Sequence, residues 1–205
     1  MKKSGPSSEV KALVRSVKEI ETRFLVPHLG PPSLTVPSRK EILDVAAYVV
    51  LVHGALEDFA EGLALWVLGR SVSNWTMKKK TSRSTVSLLL YQKVPPDDAP
   101  PVSVFDNIRT ALDDAKVRMS KVVNDNHGIT LNHLRTLFIP LGVNVPADPV
   151  LTASLDLLVT IRHQWAHRDR RRAQVFRSAK DVQNTVSDCL ILAKKLSVEA
   201  ASVRP

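Results

Sequence analysis

A single cysteine, Cys189, stands in a chain of 205 residues. One thiol cannot close a disulfide within the chain, and it excludes any site built on several thiolates. Such usage fits a reducing cytoplasm, the expected compartment. Glycine is scarce at seven residues, which leaves little material for tight hairpins. Aromatic residues make up only 5%. A long uncharged apolar run is also missing. The most apolar stretch, Ile42 to Leu68, contains Asp44, His53, Glu57, Asp58 and Glu61, groups too costly to place in lipid. The basic start MKKSGPSSEVK is not followed by the apolar core of a signal peptide. No membrane partner is expected.

What is present is enough apolar material, 44% of residues, for one domain over 1–205 with a real core. The net charge of +9 and isoelectric point of about 9.9 favour anionic partners, nucleic acid first. A DNA-binding role would use Lys78 to Lys80 or a later Arg cluster. No helix-turn-helix with a basic recognition helix accompanies them.

Thirteen prolines punctuate the chain into helices. Residues 1–8 read as flexible, with Ser7 or Ser8 capping a first helix over Glu9 to Val26. Ser38 with Glu41 forms a capping box before a second helix, to about Leu68, with a break near Gly54 or Gly62. A basic loop follows over about 70–83, then a short helix, Ser84 to Gln92, and a Pro-rich loop at 94–101. A third long helix runs from Ser103 or Val104 to Asn126, with Gly128 as its stop. Thr130 caps Leu131 to Ile139. Asp148-Pro149 opens a helix to about Asp169, and Ser178 with Asp181 opens the last, to about Ala200. No period-2 pattern competes. The expected class is all-α, an up-and-down bundle of about four long helices plus short ones.

The chemistry gathers in LLVTIRHQWAHRDRRRAQV, Leu157 to Val175. On a helical wheel Leu155, Leu158, Val159, Ile161, Trp165 and Ala166 form an apolar face, with Asp156, Thr160, His163 and His167 as a polar stripe beside it. Arg162 falls inside the apolar face, so it needs a carboxylate from another helix or a bound anion. His53, Glu57 and Glu61, spaced i, i+4, i+8 on the second helix, supply the matching stripe. Glu57 or Glu61 is therefore expected within hydrogen-bonding reach of Arg162 or His167. The structural alternative is a buried ion pair that only fixes helix register.

Two chemistries compete for the stretch. His163 and His167 have the i, i+4 spacing of a zinc helix, but Gln164 occupies the place of the catalytic Glu and no third ligand is evident. No metal or other cofactor is therefore expected. Arg168, Arg170, Arg171, Arg172 and Arg177 follow His167 directly. Guanidinium groups beside an ionisable imidazole suit a phosphodiester. A solvated basic turn at a helix C-terminus is the plainer alternative.

IRHQWAH resembles the signature of the HEPN family, an Arg, a polar residue and a final His, filled here by Arg162, His163 and His167. NHGITLNHLRTLFIPLG, Asn126 to Gly142, and VHGALEDFAEGL are similar to segments of that family's RiboL-PSP-HEPN branch. The three occur in the right order over residues 40 to 195. Asn is commoner than His after the Arg, and Trp165 is bulkier than usual. The resemblance implies a bundle that homodimerises and cuts RNA without metal, often as a toxin or in phage defence. That adds an antitoxin or other regulatory partner to the expectations. On this reading a 2′-hydroxyl attacks its own phosphate, His167 transfers the proton, Arg162 stabilises the phosphorane and His163 orients the substrate or shares the proton transfer. Arg162 and His167 lie about 140° apart on a regular wheel, so they converge only across a dimer or through the long Arg side chain; the dimer that the resemblance implies brings a second Arg162 and His167, one imidazole as base and the other as acid. Some family members are binding modules for RNA or protein without nuclease activity, the alternative function.

Overall fold

A computed structural model describes residues 5–30, 36–91, 104–166 and 177–203, with residues 104–107 and 166 described as backbone only. It is all-α, as expected. Helix α1 spans Pro6–Phe24, α2 Arg39–Lys78, α3 Arg83–Tyr91, α4 Val104–Asn124, α5 Leu131–Phe138, α6 Pro149–Ala166 and α7 Ala179–Ser202. Short 3-10 turns follow α1 (Val26–His28) and α5 (Ile139–Leu141). There is no strand among the described residues. No described helix is long and apolar enough to cross a membrane.

α2 is the axis of the bundle. It packs against α1, α3, α4, α5, α6 and α7. Val45, Val49, Val52, Leu56, Leu63 and Val67 are all buried along it, at helical spacing. The expected break at Gly54 or Gly62 does not occur: α2 is one helix of 40 residues, about 60 Å long. A helical glycine costs only about 1 kcal/mol, and neighbours that are buried on several sides outweigh it. The basic loop expected over 70–83 is also corrected. Ser71, Val72 and Asn74 continue the buried period, so the helix runs on to Lys78. It stops at Lys79, whose backbone turns left-handed at φ 55°. The backbone N–H groups of Lys79 and Lys80 then bond to Trp75 O at 3.0 Å and Asn74 O at 3.2 Å.

The other starts follow local chemistry. Ser38 Oγ accepts from the Glu41 N–H at 3.1 Å, and Ser178 Oγ from the Asp181 N–H at 3.1 Å, as their capping boxes predict. Asp148 Oδ1 accepts from the Val150 and Leu151 N–H groups at 3.2 and 3.4 Å. At α1 the expectation fails. Gly5 is the N-cap, Pro6 begins the helix and is buried, and the Ser8 hydroxyl both accepts from Gly5 N and donates to Gly5 O at 2.7 Å. Of the segment expected to be flexible, residues 5–8 are therefore structured. Among the described residues five helices, not four, have 18 residues or more. The Pro-rich loop at 94–101 lies outside the described residues. The lone thiol, Cys189, is buried in α7, and burial pushes its pKa up to about 12.

Candidate functional site

α6 lies against α2 and α7. Leu155, Leu158, Val159 and Ile161 are buried in that contact, while Asp156, Thr160 and His163 are exposed, as the wheel required. Arg162 sits between these sets and is half-buried. It lies in the last turns of α6, between the buried and the exposed side of the helix.

Across from it, α2 presents His53, Glu57 and Glu61. His53 is only 4% exposed. Burial first, then the charges of Arg162, His163 and His133, lower its pKa to about 4. Its Nδ1 stands 3.8 Å from Glu57 Oε2, a contact between a neutral imidazole and a carboxyl group at ordinary pH. Glu57 is half-buried. Burial and the Glu61 carboxylate raise its pKa, while Arg162 and His127 pull it back. Glu61 Oε1 accepts from Asn126 Nδ2 at 2.9 Å.

The expected pairing with Arg162 is thus corrected, while the alternative pairing with His167 lies outside the described residues. No direct ion pair joins Arg162 to Glu57 or Glu61 among the described residues. Glu57 meets His53 and Glu61 meets Asn126. A half-exposed guanidinium keeps its water and does not need the direct contact. Arg162 instead acts through space on both His53 and Glu57. His167, Arg168, Arg170, Arg171 and Arg172 lie outside the described residues. Arg177 is exposed just ahead of the α7 cap.

The structure adds a third wall. The corner between α4 and α5 supplies Asn126, His127 and His133, none of which was assigned a site role from the sequence. The available signal was two histidines and two asparagines within eight residues, ending in a Thr-x-x-His cap. Thr130 does cap α5, accepting from the His133 N–H at 3.3 Å. Imidazole, guanidinium and carboxyl groups from three places in the chain thus share one field. Such a set can bind an anion through its cations and pass protons between imidazole and carboxyl groups. Among the described residues no group of three or more His, Cys, Asp or Glu is placed to hold a metal ion.

No protein-family model matches the chain, no curated protein matches it, and no solved structure matches it.

Proposed function

We propose that this protein is a metal-independent endoribonuclease whose site is built on Arg162, His163 and His167. The observation that carries the reading is the placement of Arg162. A half-buried guanidinium on α6 acts on His53 and Glu57 of α2, with His163 beside it in sequence and His127 and His133 in the same field. The resemblance of IRHQWAH to the HEPN signature supports it, as does the net charge of +9. Arg162 stabilises charge on the phosphorane oxygens. His167 takes the 2′-hydroxyl proton, and His163 orients the substrate or shares the transfer. His53, held neutral, and Glu57 and Glu61 line the wall that faces Arg162. Arg168, Arg170, Arg171, Arg172 and Arg177 hold the flanking phosphates.

The proposed assembly is a two-fold homodimer with the α6 helices facing each other. The exposed stripe of Asp156, Thr160 and His163 supports it, since two-fold symmetry sets equal residues opposite one another. The proposed setting is the cytoplasm, which suits a lone buried thiol. The proposed role is a toxin or phage-defence effector held in check by an antitoxin or other regulatory partner.

Incubating the purified protein with total RNA in EDTA tests the reading. Cleavage to 2′,3′-cyclic phosphate and 5′-hydroxyl ends, lost in Arg162→Ala and His167→Ala, is the expected result. Tight RNA binding without cleavage by the wild type would replace it with a non-catalytic RNA-binding module.

A further inference from the structure

Two stretches of the chain that meet in space carry cations and no carboxylate. Residues 70–91 hold Arg70, Lys78, Lys79, Lys80 and Arg83, residues 126–147 hold Arg135, and neither stretch contains Asp or Glu. The first includes α3 and the second the 3-10 turn Ile139–Leu141, and these two elements pack on each other. Ser87 Oγ donates to Ile139 O at 3.0 Å across the contact. Gly142 closes the turn at φ 68°, where a side chain would stand 3.1 Å from Arg83 O, so only glycine lets α3 come this close. An open groove of about 520 Å³ runs between the two elements. Val86, Leu90, Ile139 and Val143 give it an apolar lining, with Arg83 and Asn144 beside them. Its floor belongs to the core, since Leu88, Phe138 and Val143 are buried, yet Val86 and Ile139 are exposed and Leu90 is 77% exposed. One carboxylate comes near: Asn144 Nδ2 donates to Glu199 Oε2 at 3.5 Å.

We propose that this groove docks an acidic amphipathic helix of a partner protein. Apolar side chains held in the open between two fixed walls mark an interaction surface rather than scattered exposure. Val86 and Leu90 stand four residues apart on one face of α3, a ridge against which a second helix packs, and Ile139 forms the opposite wall. A partner helix with apolar residues at i, i+3 or i+4 and i+7 fills such a groove. With nine residues, α3 is about 13 Å long, so the docked segment spans two to three turns. The rim selects the charge of the partner. Arg83 lines the groove, Lys78 to Lys80 are exposed just ahead of α3, and Arg135 is exposed one turn ahead of Ile139. Asp and Glu on the flanks of the partner helix are attracted and a basic helix is repelled. Glu199 does not reverse this, because it is engaged with Asn144. RNA suits the groove less well: no aromatic ring lines it among the described residues, so bases have nothing to stack on. The walls are already tied together, so docking costs little ordering on this side. The inference stands apart from the nuclease reading, since it uses neither Arg162 nor His167.

The test is a display selection on the full-length protein with random peptides of about 15 residues, long enough to form a helix. Each round is counter-selected on Leu90→Glu, a change at an exposed position that leaves the core intact. Enrichment on the wild type of peptides rich in Asp and Glu, with apolar residues at helical spacing, is the expected result. The same peptides, synthesised, should bind Arg83→Glu about tenfold or more weakly and should weaken as salt rises. They should bind Leu43→Glu, an exposed position at the other end of α2, as tightly as the wild type. Amide shifts on peptide addition should gather on residues 83–91 and 139–144. No enrichment on the wild type over Leu90→Glu overturns the inference, as do neutral or basic peptides indifferent to Arg83→Glu. Shifts that gather elsewhere overturn it too. A single-stranded RNA oligonucleotide that loses its binding in both Leu90→Glu and Arg83→Glu, with no peptide recovered, overturns it as well and gives the groove to RNA.

Discussion

Nδ1 of His53 lies 3.8 Å from Oε2 of Glu57, one helical turn away, yet the two do not form an ion pair at neutral pH. Burial, aided by Arg162, holds the imidazole uncharged with a pKa of about 4. Burial and Glu61 raise the Glu57 carboxyl. Each group resists charge on its own account, so the contact joins a neutral imidazole to a carboxyl group whose ionisation burial disfavours.

A pH dependence of stability follows. The folded pKa of His53 is below the ordinary 6.5, so the unfolded chain takes up this proton first. The stabilisation from a neutral His53 is complete above pH 6.5 and is lost as pH falls towards 4. At about 1.4 kcal/mol per pKa unit it amounts to at most about 3 kcal/mol. Urea unfolding at pH 7 and pH 4.5 should show this loss in the wild type and a clearly smaller one in His53→Gln. Identical losses in both would assign the acid sensitivity elsewhere.

Lys79 closes α2 with φ 55°, where a side chain crowds the following carbonyl. Glycine removes that strain, and its greater freedom in the unfolded chain offsets only part of the gain. Lys79→Gly should raise stability by about 0.5–1 kcal/mol, read as a higher urea midpoint with an unchanged m-value. A lower midpoint would mean that the exposed Lys79 Nζ bond to Thr76 O at 3.1 Å outweighs the strain.

Gly128→Ala should be costly for the opposite reason, because the added methyl meets a ring that Thr130 holds in place. Overpacking of this kind costs about 1–3 kcal/mol. The ring signals of His133 should shift while those of His28, whose Nε2 is 2.8 Å from Asp44 at the far end of α2, stay fixed. An unmoved His133 would show that the corner yields at no expense.

Local rules made much of the bundle legible. Ser38, Thr130, Asp148 and Ser178 each cap the helix that their spacing announces, because an N-cap depends on three or four neighbouring residues. The failures at Gly54, Gly62 and residues 69–78 share one cause. The signals there are weak glycine and polar preferences, and a helix packed on several sides overrides them. The site divides in the same way. His53, Glu57 and Arg162 were readable as stripes on single helices. The lack of a direct Arg162 pair was not, since it depends on the partners that Glu57 and Glu61 find elsewhere, His53 and Asn126. His133 stayed hidden because its place depends on Asn126 reaching Glu61, 65 residues away in sequence.

The Arg cluster after His167 carries a separate expectation. If Arg170, Arg171 and Arg172 neutralise phosphates, each contact releases counterions, and RNA affinity falls linearly on a log–log salt plot. Replacing all three with Ala should flatten the slope by about two to three units, at roughly 0.7–0.9 per contact. An unchanged slope would leave the cluster as a solvated helix end.

Arg162 offers the sharpest check on the site, because it acts on two titrations with the same sign. Its charge lowers the pKa of His53 and also that of Glu57, disfavouring the imidazolium and favouring the carboxylate. Arg162→Gln should therefore move both midpoints upward, His53 from about 4 towards the ordinary range and Glu57 further above it. Nuclear magnetic resonance of the His53 ring and of a carbon-labelled Glu57 carboxyl reads the two separately. RNA cleavage should fall about 100- to 1,000-fold, the usual loss when one preorganised donor to a developing oxyanion is removed. Arg162→Lys separates charge from shape. The ammonium should return both midpoints close to their wild-type positions, while cleavage stays depressed for want of the planar fork that grips two phosphate oxygens. Midpoints that do not move in Arg162→Gln would mean that the guanidinium field never reaches α2, and the site would have to be rebuilt without Arg162 at its centre.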